Sequence, residues 1–113
     1  MDRLFRVAFW SAAAIALVAA ALPHPPELPG DPSDKVQHIL AFVCLAALGA
    51  RAWPGLAALR LALGLSAFGA LIEVVQLIPV LHRDSDPLDW LADTVAASAV
   101  LLAIHAWRRV RRS

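Results

Sequence analysis

Arg83-Asp84-Ser85-Asp86-Pro87-Leu88-Asp89-Trp90-Leu91-Ala92-Asp93 sets four acids and one arginine between two long apolar runs. Asp86-Pro87 reads as a helix start, with an acidic N-cap and proline at the first helical position. The segment beyond it, to about Trp107, is apolar and long enough to cross a bilayer. Asp89 and Asp93 therefore share one face of a membrane helix at i, i+4 spacing. A charged carboxylate at mid-bilayer costs roughly 2.5–3.5 kcal/mol on insertion scales, and less near the interface. Such groups need partners, protons or water, and the rest of the chain has to supply them.

Outward from this stretch the pattern is consistent. The chain is 60% hydrophobic and 17% charged, with a mean hydropathy of +0.67. A soluble domain of this length carries more charge and less apolar surface. Helices are expected over about 5–22, 33–50, 61–80 and 87–107, each near the ~20 residues needed to span. The fold class is all-α: a single polytopic membrane domain covering 1–113, with four transmembrane helices. Pro23 to Pro32 contains five prolines and forms an extended connector. A cleavable signal peptide is the competing reading of the first helix, because Ala19-Ala20-Ala21 suits a cleavage site. Cys44 is the single cysteine, so no intramolecular disulfide forms, and a buried inert thiol is expected. The basic tail follows a membrane helix directly and reads as a topology signal, not as nucleic-acid binding.

Topology follows from the arginines. With both termini cytoplasmic, the inner side receives Arg3, Arg6, Arg51, Arg60, Arg108, Arg109, Arg111 and Arg112. The outer side receives only Lys35 and Arg83, with all the acids except Asp2. Trp53 and Trp107 then lie at the inner interface and Trp90 at the outer one. The expected location is the bacterial inner membrane, multi-pass.

This arrangement brings the start of helix two, the end of helix three and the start of helix four to the outer face. The candidate binding set is Asp34, Lys35, His38, Glu73, Gln76, Arg83, Asp89 and Asp93. Glu73 is expected about seven residues from its helix end, roughly 10 Å deep at 1.5 Å per residue. A carboxyl at that depth has no capping duty. Asp31 and Asp86 are explained by capping alone. The pattern Asp31-Pro32-x-Asp34-x-x-x-His38 aligns with Asp86-Pro87-x-Asp89-x-x-x-Asp93. That alignment is compatible with a duplicated helical hairpin in which His38 and Asp93 are equivalent; two unrelated capped helix starts would look the same.

Asp34-Lys35-x-x-His38 followed by Ala41-Phe42, then Glu73-x-x-Gln76, then Arg83 six residues ahead of Asp89 and a polar residue at 93, resembles the VanZ-like membrane protein family. The resemblance covers roughly Asp34 to Ala97. It departs at Asp93, where the family usually has Asn, and at Ala96, where it usually has Gly. It implies a small helical protein of the bacterial cell envelope, in a family whose namesake is associated with low-level teicoplanin resistance.

Three function classes fit these residues. The first is an accessory protein that binds a membrane lipid or lipid-linked cell-wall component at the outer cluster. The second is an intramembrane enzyme. In that case Glu73 or Asp93 is the base, His38 an acid/base, and Lys35 and Arg83 clamp a phosphate or carboxylate. The third is a small proton-coupled transporter, although the first helix lacks the membrane Glu that small multidrug exporters carry there. The catalytic assignment stays open, and the balance leans away from an enzyme. No cofactor is expected. No metal is expected either: His38, Glu73, Asp89 and Asp93 could hold a divalent ion, but no tight ligand motif joins them. Small-residue runs at Ala12-Ala13-Ala14 and Ala96-Ala97-Ser98-Ala99 allow close helix packing, within one chain or between chains of an oligomer.

Overall fold

The computed structural model describes residues 2–21, 34–78 and 87–112. All secondary structure among them is helical: α1 Asp2–Ala21, α2 Asp34–Ala52, α3 Ala58–Gln76 and α4 Pro87–Arg112. The proline-rich connector, Asp31, Arg83 and Asp86 lie outside the described residues. α1, α3 and α4 are each long and apolar enough to cross a membrane, whereas α2 offers the shorter apolar stretch Val36–Ala52. A run of about 17 residues is at the lower limit for spanning.

Two helix ends differ from expectation for local reasons. α3 stops at Gln76, not near Val80. Ile78 precedes Pro79, and a residue before proline is driven out of the α region. The last turn tightens first, with Leu77 N–H donating to Val74 O and Ile78 N–H to Val75 O, both at 3.1 Å. α4 instead runs on through its arginines to Arg112. Arginine is a good helix former, and positive charge favours a helix C-terminus.

α2 packs most extensively on α4, with α1 against α2 and α3 against α4. The buried positions follow helical spacing. α2 contributes Phe42, Leu45, Ala46 and Ala50, α4 contributes Ala97 and Leu101, α3 contributes Leu61, Leu65 and Ile72, and α1 contributes Phe9, Ala13 and Ala20. Ala13 and Ala97 come from the two small-residue runs, and both are used for contacts within the chain. The outer surface is apolar, with Val7, Ile15 and Val18 of α1, Leu63 and Val74 of α3, and Val95 and Leu102 of α4 all exposed. An apolar exterior around close-packed small residues suits a lipid environment. Cys44 is exposed, so the expected buried thiol is wrong. The inward stripe of α2 runs through 42, 45, 46 and 49, which leaves 44 on the opposite face.

One end of the bundle is held by arginine. α2 ends in a turn, Trp53-Pro54-Gly55-Leu56, closed by Leu56 N–H to Trp53 O at 3.0 Å, with Pro54 and Gly55 at its corner. The last carbonyls of α2 have no intrahelical donors. Arg6 Nε of α1 donates to Ala52 O at 3.1 Å, and Arg108 Nη2 of α4 donates to Ala50 O at 2.9 Å. Arg51 pairs with Asp2 at 2.8 Å. Phe9, Trp10 and Trp53 stack edge-to-face beside them, with centroids 5.0 to 6.0 Å apart.

Gly49 marks the tightest crossing. A Cβ there would meet Leu61 Cδ1 at 3.0 Å and Phe9 Cε2 at 3.3 Å, whereas one at Gly64 would meet nothing within 4 Å. Gly49→Leu is therefore expected to cost about 1–3 kcal/mol through overpacking, and Gly64→Leu to be near neutral. Thermal melts of the two variants in detergent, followed by circular dichroism, test this. Equal melting temperatures would contradict the packing described.

Candidate functional site

At the other end, three helices deliver polar side chains to one place. α2 supplies His38 one turn after its start. α3 supplies Glu73 and Gln76 in its last turn, and α4 supplies Asp89 and Asp93 in its first two turns. Because α3 stops early, Glu73 lies one turn from the helix end and not the expected two. It is nevertheless buried, at 8% exposure. Gln76 and Asp93 are each only 2% exposed.

His38, Glu73 and Asp89 each offer one nitrogen or oxygen atom, and these atoms all lie within 4.8 Å of one another. Asp93 joins them from the bundle side, its Oδ2 3.9 Å from His38 Nδ1. That separation is too long for a hydrogen bond. Asp93 Oδ1, His38 Nδ1 and Gln76 Oε1 are buried and make no hydrogen bond among the described residues. Buried polar atoms are normally satisfied, so three at the same end of the bundle mark a place where something else belongs or where stability is sacrificed.

The surroundings fix these groups. Gly69 of α3 leaves room for Trp90 Cδ1 and Phe42 Cζ, which a Cβ there would meet at 3.3 and 3.4 Å. Trp90 Nε1 donates to Ser66 O at 3.0 Å. Thr94 Oγ1 donates to Trp90 O at 2.9 Å and lies 3.1 Å from Ser66 Oγ. This small polar layer locks α4 against α3 just beneath Asp93. Gln76 Nε2 reaches Ala20 O of α1 at 3.3 Å, which ties the first helix to the same end.

Of the expected set, His38, Glu73, Asp89 and Asp93 therefore meet. Gln76 stands beside them with its amide N–H₂ turned to α1. The side chains of Asp34 and Lys35, and all of Arg83, lie outside the described residues. The contributions of Ser66 and Thr94 were not anticipated. Two hydroxyls within apolar helices are a weak signal, since such residues also bond to their own helix backbone.

The chain matches no protein-family model, no curated protein and no solved structure.

Removing charge at this end tests whether it is kept for a purpose other than stability. A buried carboxyl without hydrogen bonds for both oxygens is a poor stabiliser, and replacing it is neutral or favourable in many proteins. Asp93→Asn is expected to hold or raise the melting temperature in detergent. A fall of several degrees would mean that Asp93 is a structural group.

Proposed function

We propose that this chain is a small polytopic protein of the bacterial cytoplasmic membrane, similar to the VanZ-like proteins. In this reading it binds the polar headgroup of a membrane lipid or lipid-linked cell-wall component at its extracytoplasmic end. The observation that carries the reading is the convergence of His38, Glu73, Asp89 and Asp93 from α2, α3 and α4. Four ionisable groups gathered at one end of an apolar bundle, Glu73 and Asp93 of them buried, are expensive to keep, and no capping duty accounts for Glu73 or Asp93.

The two ends of the bundle support an orientation. Arg6, Arg51 and Arg108 gather at the end opposite the acids. By the positive-inside rule that end faces the cytoplasm. In this reading all four helices cross, both termini are cytoplasmic, and the acidic end faces outward. Headgroup binding there is non-enzymatic, and its physiological form would be a change in glycopeptide tolerance of the teicoplanin type.

Two experiments test this. Reporter fusions at the C-terminus are expected to give cytoplasmic fluorescence and no periplasmic phosphatase activity; the reverse pattern would place the acidic end inside. Native mass spectrometry of the detergent-purified protein is expected to show a retained lipid or precursor that is reduced in Glu73→Gln. A wild type free of any such adduct, alongside a stable mutant of identical behaviour, would refute headgroup binding.

A further inference from the structure

We infer that His38, Glu73 and Asp89 form a binding site for a divalent transition-metal ion, with Asp93 as the carboxylate supporting it. This rests on the reading of the acidic end as a site, and it names what would let that site take an anionic headgroup. An acid-rich cluster repels phosphate unless a cation stands between them, and a bound divalent ion is the largest local charge such a site can hold.

The geometry points to an ion in three ways. First, one imidazole and two carboxylates from three different helices put ligand atoms within 4.8 Å of one another. Zinc ligands stand about 2.0–2.2 Å from the metal, so side-chain rotation of roughly an ångström closes this set on an ion. Second, Asp93 is enclosed beside the cluster, 2% exposed, with Oδ1 making no hydrogen bond. Third, its Oδ2 faces His38 Nδ1, itself without a hydrogen bond, at 3.9 Å. A carboxylate that accepts the free ring N–H of a ligating histidine is the usual means of fixing the ring and raising its basicity, and a ring shift of under about an ångström would form that bond here. The ligand class follows from the donors. Imidazole with carboxylates suits Zn²⁺, Mn²⁺ or a similar ion, whereas Ca²⁺ and Mg²⁺ favour all-oxygen shells.

The test uses the full chain in detergent, stripped with chelator, exposed to Zn²⁺ or Mn²⁺ and passed through gel filtration. Elemental analysis is expected to find about one ion per chain, with a higher melting temperature in its presence. Glu73→Gln and Asp89→Asn should each lower retention to background, and Asp93→Asn should weaken binding at least about tenfold. Asp2→Asn, altered at the arginine end, should match the wild type. Asp89 is only half-buried, so its variant stands in should a more enclosed one fail to fold. A folded wild type that retains no Zn²⁺ and no Mn²⁺ overturns the inference, as does retention unchanged in both Glu73→Gln and Asp89→Asn. If the metal is absent while a lipid adduct persists and depends on Glu73, the ion is refuted and headgroup binding stands. If the metal is held and no lipid adduct is found, the ion stands and headgroup binding is refuted.

Discussion

A carboxylate enclosed between apolar helices is the constraint around which this bundle is arranged. Asp93 has almost no contact with solvent, and no lysine or arginine faces it among the described salt bridges. Among the described salt-bridge distances its partner is the His38 imidazole, on another helix. The pair His38 and Asp93 therefore lies in the interface between α2 and α4, the most extensive helix contact in the protein. Ionisable side chains inside a membrane bundle generally face its interior and pair with one another. Here that tendency draws three helix ends together, and the close approach of Gly69 to Phe42 and Trp90 makes the room.

The two ends of the bundle solve opposite problems. At the basic end the unsatisfied groups are backbone carbonyls, and the neighbouring helices satisfy them: Arg6 of α1 and Arg108 of α4 cap the last turn of α2. At the acidic end the unsatisfied groups are side-chain atoms, and the protein leaves several of them without a hydrogen bond. A chain selected only for stability would fill that end with leucine. The difference between the ends carries the functional argument further than any single residue does.

The helices were legible in the sequence because apolar runs and proline punctuation are local signals. The end of α3 was misplaced because the apolar run continues through Ile78 and hides the effect of Pro79 on the residue before it. Cys44 was misread for a related reason. Hydropathy alone does not say which face of an all-apolar helix points inward, and in a membrane bundle the outward face is as apolar as the core. His38, Glu73, Asp89 and Asp93 could be singled out as costly polar residues in oily surroundings. Topology brings them to one end of the bundle, but their close approach cannot be derived from spacing, because the ligand-like atoms come from three helices. The alignment that makes His38 and Asp93 equivalent gains interest from their contact, since equivalent positions near a two-fold axis face each other. The Ser66–Thr94 layer had no comparable signal.

The shortness of α2 has a further consequence if all four helices cross the membrane. An apolar run of about 17 residues covers roughly 26 Å at 1.5 Å per residue, against a hydrocarbon thickness of about 30 Å. Hydrophobic mismatch of this size is relieved by thinning the bilayer locally or by snorkelling of long side chains. At the arginine end the long basic side chains can reach the interface by themselves. At the other end His38 sits one turn inside α2 on a side chain too short to snorkel, so local thinning is what would bring it to the interface. The membrane surface would then dip over the acidic end, shortening the path for water and headgroups to residues that the protein alone keeps enclosed.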